Sequence, residues 1–248
     1  MAIKEIIKAA TEPATNIVNP PTRSVGAFFG ATLDFWFSNR MKKYAEKQIM
    51  DELALRKFRE ELEAEFAKIP EEELVPPRKA LLLPALDAAE YYVEEEELRR
   101  MFARLIAATC DMRKASKVNP SFAGIIQQLS PLDAENLEYI YREITVPILG
   151  LSSKDATRET GTLFLGDLTK HERTIGLQIT SYSALVRLGL VNNIFCKSIT
   201  TDERREFKAL ERIVEHDVER KERAIRGYAL TTTIGDVFCK VCLPEDKS

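Results

Sequence analysis

Two cysteines one helical turn apart, Cys239 and Cys242, are the residues whose types and spacing most directly suggest chemistry. Thiolates in this arrangement can bind zinc or cycle between a dithiol and a disulfide. A closed zinc site needs two further ligands, and the other candidates, Cys110, Cys196 and two distant histidines, show no paired spacing. Because the neighbouring side chains are apolar, the sequence favours buried thiols and predicts neither a metal nor a cofactor.

The other pair that suggests chemistry is Arg212 and His216, since helical ribonucleases use an arginine and a histidine to cleave RNA. Three residues separate them here, which is closer than in those enzymes, and Glu211 and Glu215 beside them indicate ordinary surface ion pairs. The sequence also lacks the phosphate-binding GxxxxGK[ST] loop, the GxSxG nucleophile motif and the HExxH zinc motif. It therefore predicts no catalytic site and no small-molecule substrate.

Four consecutive glutamates, Glu94–Glu97, are a third candidate, as ligands of a metal ion. Carboxylates in the first turn of a helix also interact favourably with the helix dipole. Because a helical pattern of apolar residues follows directly, we expect this run to begin a helix and not to bind a metal.

The region before these glutamates is predicted to be helical. Apolar residues recur every three to four positions over Arg40–Ile69, which predicts one long amphipathic helix with a solvated charged face or, alternatively, a seam between copies. Pro70 and the pair Pro76–Pro77 end it and impose an extended connection. Arg78–Val93 then predicts a further helix that Pro84 kinks or divides.

The character of the chain changes after residues 147–170, a segment rich in Gly, Ser, Thr and Asp that we interpret as a linker. Beyond it, Ile175–Leu188 predicts a helix that ends at Gly189. The apolar run that follows, Leu190–Phe195, predicts a strand.

A second strand, Gly227–Thr231, is expected to pair with the first, and Thr231 or Thr232 to cap a closing helix through Cys242. This order of elements is similar to a winged-helix domain. The charged segment 202–226 is then a helical insertion in the wing.

Winged helices contact DNA with a helix in the major groove and with basic residues on phosphates. The candidate DNA-contacting residues here are Lys170, Arg173, Ser181, Tyr182 and Arg187. Because Glu172 lies beside them and the chain is weakly acidic, an interaction with protein is favoured over DNA binding.

The segment Val118–Ala134 has the most distinctive sequence pattern in the chain. Pro120 is expected to begin a short helix with one apolar face, and Ser130 to cap the next helix, with Pro131 at its first position and Asp133 in its first turn. We assign structural roles to six residues of this segment: Pro120, Phe122, Leu129, Ser130, Pro131 and Asp133.

This segment and the preceding Glu97–Ala108 block resemble, in order and spacing, the abortive infection alpha family of bacterial and phage-borne proteins. Two further segments, Pro20–Gly26 and Leu230–Cys239, resemble the two ends of that family, so the resemblance covers nearly the whole chain. It implies a role in defence against phage by abortive infection. It carries over no set of catalytic residues.

The composition is that of a soluble protein with no general attraction to polyanions. Charged residues make up 30% of the chain, the net charge is -3, and the mean hydropathy is -0.21. Four cysteines in a chain of this length, with no secretory signal, are typical of reduced thiols in the cytoplasm.

One segment, Val25–Phe37, is strongly apolar. It is shorter than the roughly 20 residues that span a bilayer, and Asp34 interrupts it, so we expect a helix that packs in the core or faces a partner. The alternative is contact with a membrane surface through five aromatic residues: Phe28, Phe29, Phe35, Trp36 and Phe37.

Together these patterns predict a mainly α fold with a helical N-terminal and central region and a winged-helix-like C-terminal part that contains a small β-hairpin. The expected divisions are an apolar segment 1–39, a helical domain 40–146, a linker 147–170 and a winged-helix-like part 171–248. The expected function is phage defence through non-enzymatic binding of a protein partner or self-association. A DNA-binding regulator and a membrane-active effector are the alternatives.

Overall fold

The fold consists of a run of helices, an antiparallel sheet with two further described helices between its strands, and a closing helix. The computed structural model describes residues 30–40, 52–153, 159–164, 175–195, 207–212 and 222–244. In chain order the elements are α1 (30–40), α2 (Glu52–Phe66), α3 (Lys79–Ala89), α4 (Glu96–Ala108), α5 (Met112–Ala115), α6 (Ser121–Ile126), α7 (Pro131–Glu143), β1 (Val146–Ser153), β2 (Glu159–Leu163), α8 (Ile175–Arg187), β3 (Val191–Phe195), α9 (207–212), β4 (Glu222–Thr231) and α10 (Thr233–Cys242). The predicted mainly α class is confirmed.

Helix α4 lies at the centre of the helical region, in contact with α2, α3, α6, α7 and α10. Its apolar side chains are almost fully buried, as at Met101, Phe102 and Ile106. Glu96 and Glu97 occupy its first turn, where carboxylates suit the helix dipole, so the predicted helix start is confirmed. The same helix therefore supplies much of the core and, on its remaining face, charged side chains.

The described end of the apolar N-terminal segment packs into this core through Trp36 and Phe37. Both rings lie against Phe58 of α2, with centroids 6.1 and 5.8 Å away, whereas Phe35 is exposed. Phe28 and Phe29 lie outside the described residues. Among the helices that the structure describes, none is long and apolar enough to cross a membrane.

Of the prolines expected to shape the helices, Pro70 follows the end of one helix and Pro84 lies within another. α2 ends at Phe66, ahead of Pro70, while residues 41–51 of the predicted long helix lie outside the described part. Pro84 does not divide α3, which continues to Ala89. The carbonyl that loses its hydrogen-bond donor belongs to Ala80, an exposed residue that water can reach, so the helix tolerates the proline.

The two helices of the 118–134 segment form as predicted. Phe122 and Leu129 are buried, and Ser130 caps α7 with Pro131 at its first position. The Ser130 hydroxyl accepts a hydrogen bond from the Asp133 backbone N–H at 3.2 Å, and the Asp133 carboxylate accepts one from the Ser130 N–H at 2.7 Å. This reciprocal capping box fixes where α7 begins.

Replacing Asp133 by alanine is expected to lower the free energy of unfolding by about 1 kcal/mol or less, because one of the two capping bonds is lost. The second carboxylate oxygen is buried without a hydrogen-bond partner, so its removal also relieves an unfavourable burial. Thermal melting of Asp133→Ala beside Asp133→Asn, which keeps an acceptor for Ser130, measures this. Loss of the expected phage protection in Asp133→Ala, with an unchanged melting temperature, would contradict a purely structural role.

The C-terminal strands form a four-stranded antiparallel sheet in the order β2-β1-β4-β3. The predicted pairing of β3 with β4 is confirmed, from Val191 opposite Thr231 to Phe195 opposite Gly227. The sheet is larger than the expected hairpin because β1 and β2 join it. The winged-helix assignment stays a prediction.

The interpretation of residues 147–170 as a linker is wrong for its described part. β1 pairs with both β2 and β4, and Ile148 and Leu149 are buried. Burial of these side chains and two rows of hydrogen bonds make the segment a central strand. The helical insertion 202–226 is also corrected, because residues 222–226 belong to β4; residues 207–212 are helical. The other domain divisions stay a prediction.

The sheet curls strongly around α8. β2 and β3 lie at opposite edges, about 14 Å apart in a flat sheet of this order. Nevertheless the Asn193 side-chain amide of β3 lies 3.4 Å from the Thr162 hydroxyl of β2. Tyr182 of α8 donates a hydrogen bond to Asn193 and stacks on Phe164, so that α8 fills the inside of the curl.

Candidate functional site

A charged cleft of about 320 Å³ lies between α4, α7 and the residues that follow α10. Its lining combines guanidinium groups, carboxylates and a few apolar side chains. The lining residues are Glu97, Arg100, Met101, Arg104, Ala134, Glu138, Arg142, Leu243 and Pro244. We call this the charged cleft.

Helical periodicity places these side chains on one face of each helix. Arg100 and Arg104 of α4 are four residues apart, as are Glu138 and Arg142 of α7, and side chains at this spacing share a face. The opposite face of α4 is in the core, and α10 packs against both helices. The core packing that fixes α4 and α7 therefore also sets the width of the cleft.

Two of the cleft guanidinium groups are held by exposed ion pairs. Arg100 lies 2.5 Å from Glu96, and Arg142 lies 2.5 Å from Glu138, with both arginine side chains about half exposed. Exposed pairs of this kind contribute roughly 0–1 kcal/mol each, so an incoming charged group can displace them. The charged side chains at the mouth of the cleft can therefore exchange their present partners for groups of a bound protein.

Arg104 differs from these two, because its side chain is only 18% exposed. Its Nε atom lies 3.3 Å from a carboxylate oxygen of Glu65 and is buried without a hydrogen bond. Met101 and Leu243, both buried, lie beside it in the cleft lining. A guanidinium group whose Nε is buried without a hydrogen bond is the most distinctive chemical feature of the cleft.

A second cavity, of about 410 Å³, lies between α1 and α2 and is mainly apolar. Leu33, Phe37 and Phe66 line it, and Arg59 bridges its rim to Asp34 and Glu63. Cys110 also lines this cavity. Burial raises the pKa of its thiol to about 12, so the thiol is protonated and unreactive at neutral pH.

The prediction that Cys239 and Cys242 are buried thiols is confirmed. Burial raises the pKa of both thiols well above the ordinary value, which opposes thiolate chemistry. Within the described part of the chain there is no group of three or more His, Cys, Asp or Glu side chains that could hold a metal ion. Cys196 lies outside that part.

The predicted DNA-contacting residues do not form one exposed surface. Ser181 and Tyr182 are buried, and Ser181 accepts a hydrogen bond from the Asn136 side chain at 2.9 Å. Arg187 is exposed and lies 3.4 Å from Gln128, while Lys170 and Arg173 lie outside the described residues. The assignment of Ser181 and Tyr182 to a DNA surface is wrong, because they face α7 and the inside of the sheet.

The pair Arg212 and His216 is described only in part. Arg212 is exposed, and His216 lies outside the described residues. Glu211, expected to pair locally, instead accepts a hydrogen bond from Arg226 of β4 at 2.8 Å. The described half of this pair therefore lies on the surface, beside an ion pair between α9 and β4.

Comparison with protein-family models gives a match to the family described as Abortive infection alpha, over residues 50–242. Comparisons with curated proteins and with solved structures gave no significant match. The matched range covers most of the chain and contains every helix and strand from α2 to α10. It also includes the arginines and glutamates that line the charged cleft. The chain belongs to the abortive infection alpha family.

Proposed function

We propose that the protein acts in the cytoplasm in phage defence by abortive infection, through non-enzymatic binding of a protein partner at the charged cleft. Membership of the family supports the abortive-infection role. The cleft supports the mechanism, because guanidinium and carboxylate groups on rigid helices recognise complementary charges on another protein.

The observation that carries this proposal is the division of α4 into two faces. Phe102 and Ile106 anchor one face in the core, while Arg100 and Arg104 line the cleft on the other. Packing in the core accounts for the apolar face of α4. It does not explain a concave surface with three guanidinium groups, two of them in ion pairs that a partner can displace.

Phage plating on bacteria that express the chain tests the proposal. Wild type is expected to reduce plating efficiency, with death of infected cells, across part of a phage panel. Arg100→Glu combined with Arg142→Glu reverses two charges at the cleft mouth and is expected to abolish protection with little change in melting temperature, because both side chains are half exposed.

Arg187→Ala is the matched control, since Arg187 is exposed on α8 and does not line the cleft. Protection is expected to survive this substitution. Loss of protection in Arg187→Ala with retention in the cleft variant would contradict the proposal and favour the DNA-binding alternative.

A further inference from the structure

We infer that Arg104 is the anchor of the charged cleft and binds an acidic side chain of the partner protein. The inference rests on the proposed function, because it names the partner chemistry recognised at the same cleft. Three observations carry it: the hydrogen bonding of Arg104, the contrast with Arg99, and the surroundings of the guanidinium group.

The Arg104 guanidinium has five N–H donors and makes no hydrogen bond to any residue in the described part of the structure. Its one polar contact there is the ion pair from Nε to Glu65. Arg104 lines the cleft, and its terminal nitrogens have no hydrogen-bond acceptor among the described residues. A carboxylate that enters the cleft can therefore accept hydrogen bonds from these nitrogens without displacing a protein group.

Arg99, on the same helix, has a hydrogen-bond acceptor for each of its three guanidinium nitrogens. Its Nε and Nη2 atoms donate to the two carboxylate oxygens of Glu61, both at 2.9 Å, and Nη1 donates to the Val93 carbonyl at 2.9 Å. Arg99 is thus held as a structural ion pair. Arg104 has the same fork of donors and is more exposed, at 18% against 6% for Arg99, but lacks the bidentate carboxylate that Glu61 provides to Arg99.

The surroundings of Arg104 favour a carboxylate on a peptide. Met101 and Leu243 add buried apolar side chains to the same lining. Glu97 and Glu138 line the same cleft and attract a basic side chain or peptide N–H groups. A volume of about 320 Å³ admits a few side chains. The lining therefore complements a partner segment in which an acidic residue lies next to a basic one.

Fluorescence anisotropy with dye-labelled hexapeptides tests the inference. An alternating Glu-Lys hexapeptide is expected to bind the full chain more tightly than a hexalysine peptide, and binding is expected to weaken as salt increases. Arg104→Gln is expected to weaken binding at least about tenfold, as for a truncated buried charge pair, whereas Arg104→Lys recovers only part of the affinity because it lacks the fork.

Glu65→Gln is the matched control, because it removes the same ion pair and leaves the guanidinium in place. Binding to Glu65→Gln is expected to equal or exceed that of wild type. An equal loss in Glu65→Gln and Arg104→Gln would show a structural effect and overturn the inference. Equal affinity of wild type and Arg104→Gln for the peptide would also overturn it.

The chain itself carries two acidic residues directly after the cleft residue Pro244, namely Glu245 and Asp246. Each titration is therefore repeated with Glu245→Gln and Asp246→Asn combined, so that competition from these carboxylates cannot hide the site. Failure of the peptide to bind both forms would overturn the inference even if the cleft variants lose phage protection. Binding through Arg104 without any phage protection would support the inference and contradict the proposed function.

Discussion

Replacing Gly235 by alanine is expected to lower the free energy of unfolding by about 3 kcal/mol, the upper range for forcing an atom into a packed site. A Cβ atom at this position would lie 2.0 Å from the Leu190 carbonyl oxygen and 2.9 Å from its carbonyl carbon. Both are backbone atoms, so no side-chain rotation relieves the clash. Either α10 or the start of β3 has to move.

The Leu190 carbonyl is held in place by its own contacts. It accepts a hydrogen bond from the Thr232 N–H at 2.9 Å, and Leu190 itself is fully buried. Thr232 caps α10 by accepting from the Gly235 N–H at 2.9 Å and donates to the Gly189 carbonyl at 2.5 Å. Displacing one group in this cluster therefore disturbs the end of α8, the start of β3 and the cap of α10 together.

The measurement is thermal or urea unfolding of Gly235→Ala beside Gly176→Ala. Gly176 is exposed in the first turn of α8, and a Cβ atom there would meet nothing within 4 Å. Gly176→Ala is expected to leave the protein equally stable or more stable, because alanine favours a helix over glycine. Gly235→Ala is expected to melt roughly 6–12 °C lower. Similar melting of the two variants would contradict the close approach.

Several elements were predictable because their signals are local. Gly189 adopts φ +72° at the end of α8, a conformation that glycine reaches without strain. Ser130 and Thr232 cap the helices that the sequence assigned to them. In each case the residues that determine the structure lie within a few positions of one another, so the sequence pattern contains the complete cause.

The central strand β1 was not predictable from local pattern. The content of Gly, Ser, Thr and Asp in residues 147–170 led to the interpretation of a linker, and Pro147 and Gly150 also disfavour a strand. The structure accommodates Pro147 because its pairing partner is Tyr228 of β4, whereas pairing with β2 begins only at Leu149. Pairing with a strand far along the chain decides the outcome, and no window around residue 147 contains that information.

The charged cleft was missed for a different reason. Glu96 with Arg100, and Glu138 with Arg142, have the spacing of ordinary ion pairs on a solvated helix face. Nothing in that spacing distinguishes a flat surface from a concave one. The end of α10, near Leu243, encloses the cleft, and this depends on packing between helices that are distant in sequence.

A buried ion pair between α2 and α4 provides the second large effect. Replacing Glu61 by leucine is expected to lower the free energy of unfolding by about 3 kcal/mol, the lower range for removing one partner of a buried pair. The side chain of Arg99 is only 6% exposed, and Glu61 accepts two of its hydrogen bonds. After the substitution a desolvated guanidinium keeps only the Val93 carbonyl as acceptor.

The converse substitution is expected to cost less, about 1–2 kcal/mol, because the carboxylate that remains is less enclosed. The Glu61 side chain is 23% exposed, and Arg100 lies 3.6 Å from it, so the carboxylate in Arg99→Met keeps access to water and to a cation. Methionine also fills most of the volume that the arginine stem occupies between the two helices.

Combining Glu61→Leu with Arg99→Met is expected to bring stability back to within about 1 kcal/mol of wild type, because no charge is then left buried and the space is filled by apolar groups. Urea unfolding of wild type, both single variants and the double variant measures the coupling energy directly. If the losses of the two single variants simply add, the pair does not act as a unit. Strong positive coupling would instead show that Glu61 is present chiefly to neutralise Arg99, and that the link between α2 and α4 depends on their shape more than on their charge.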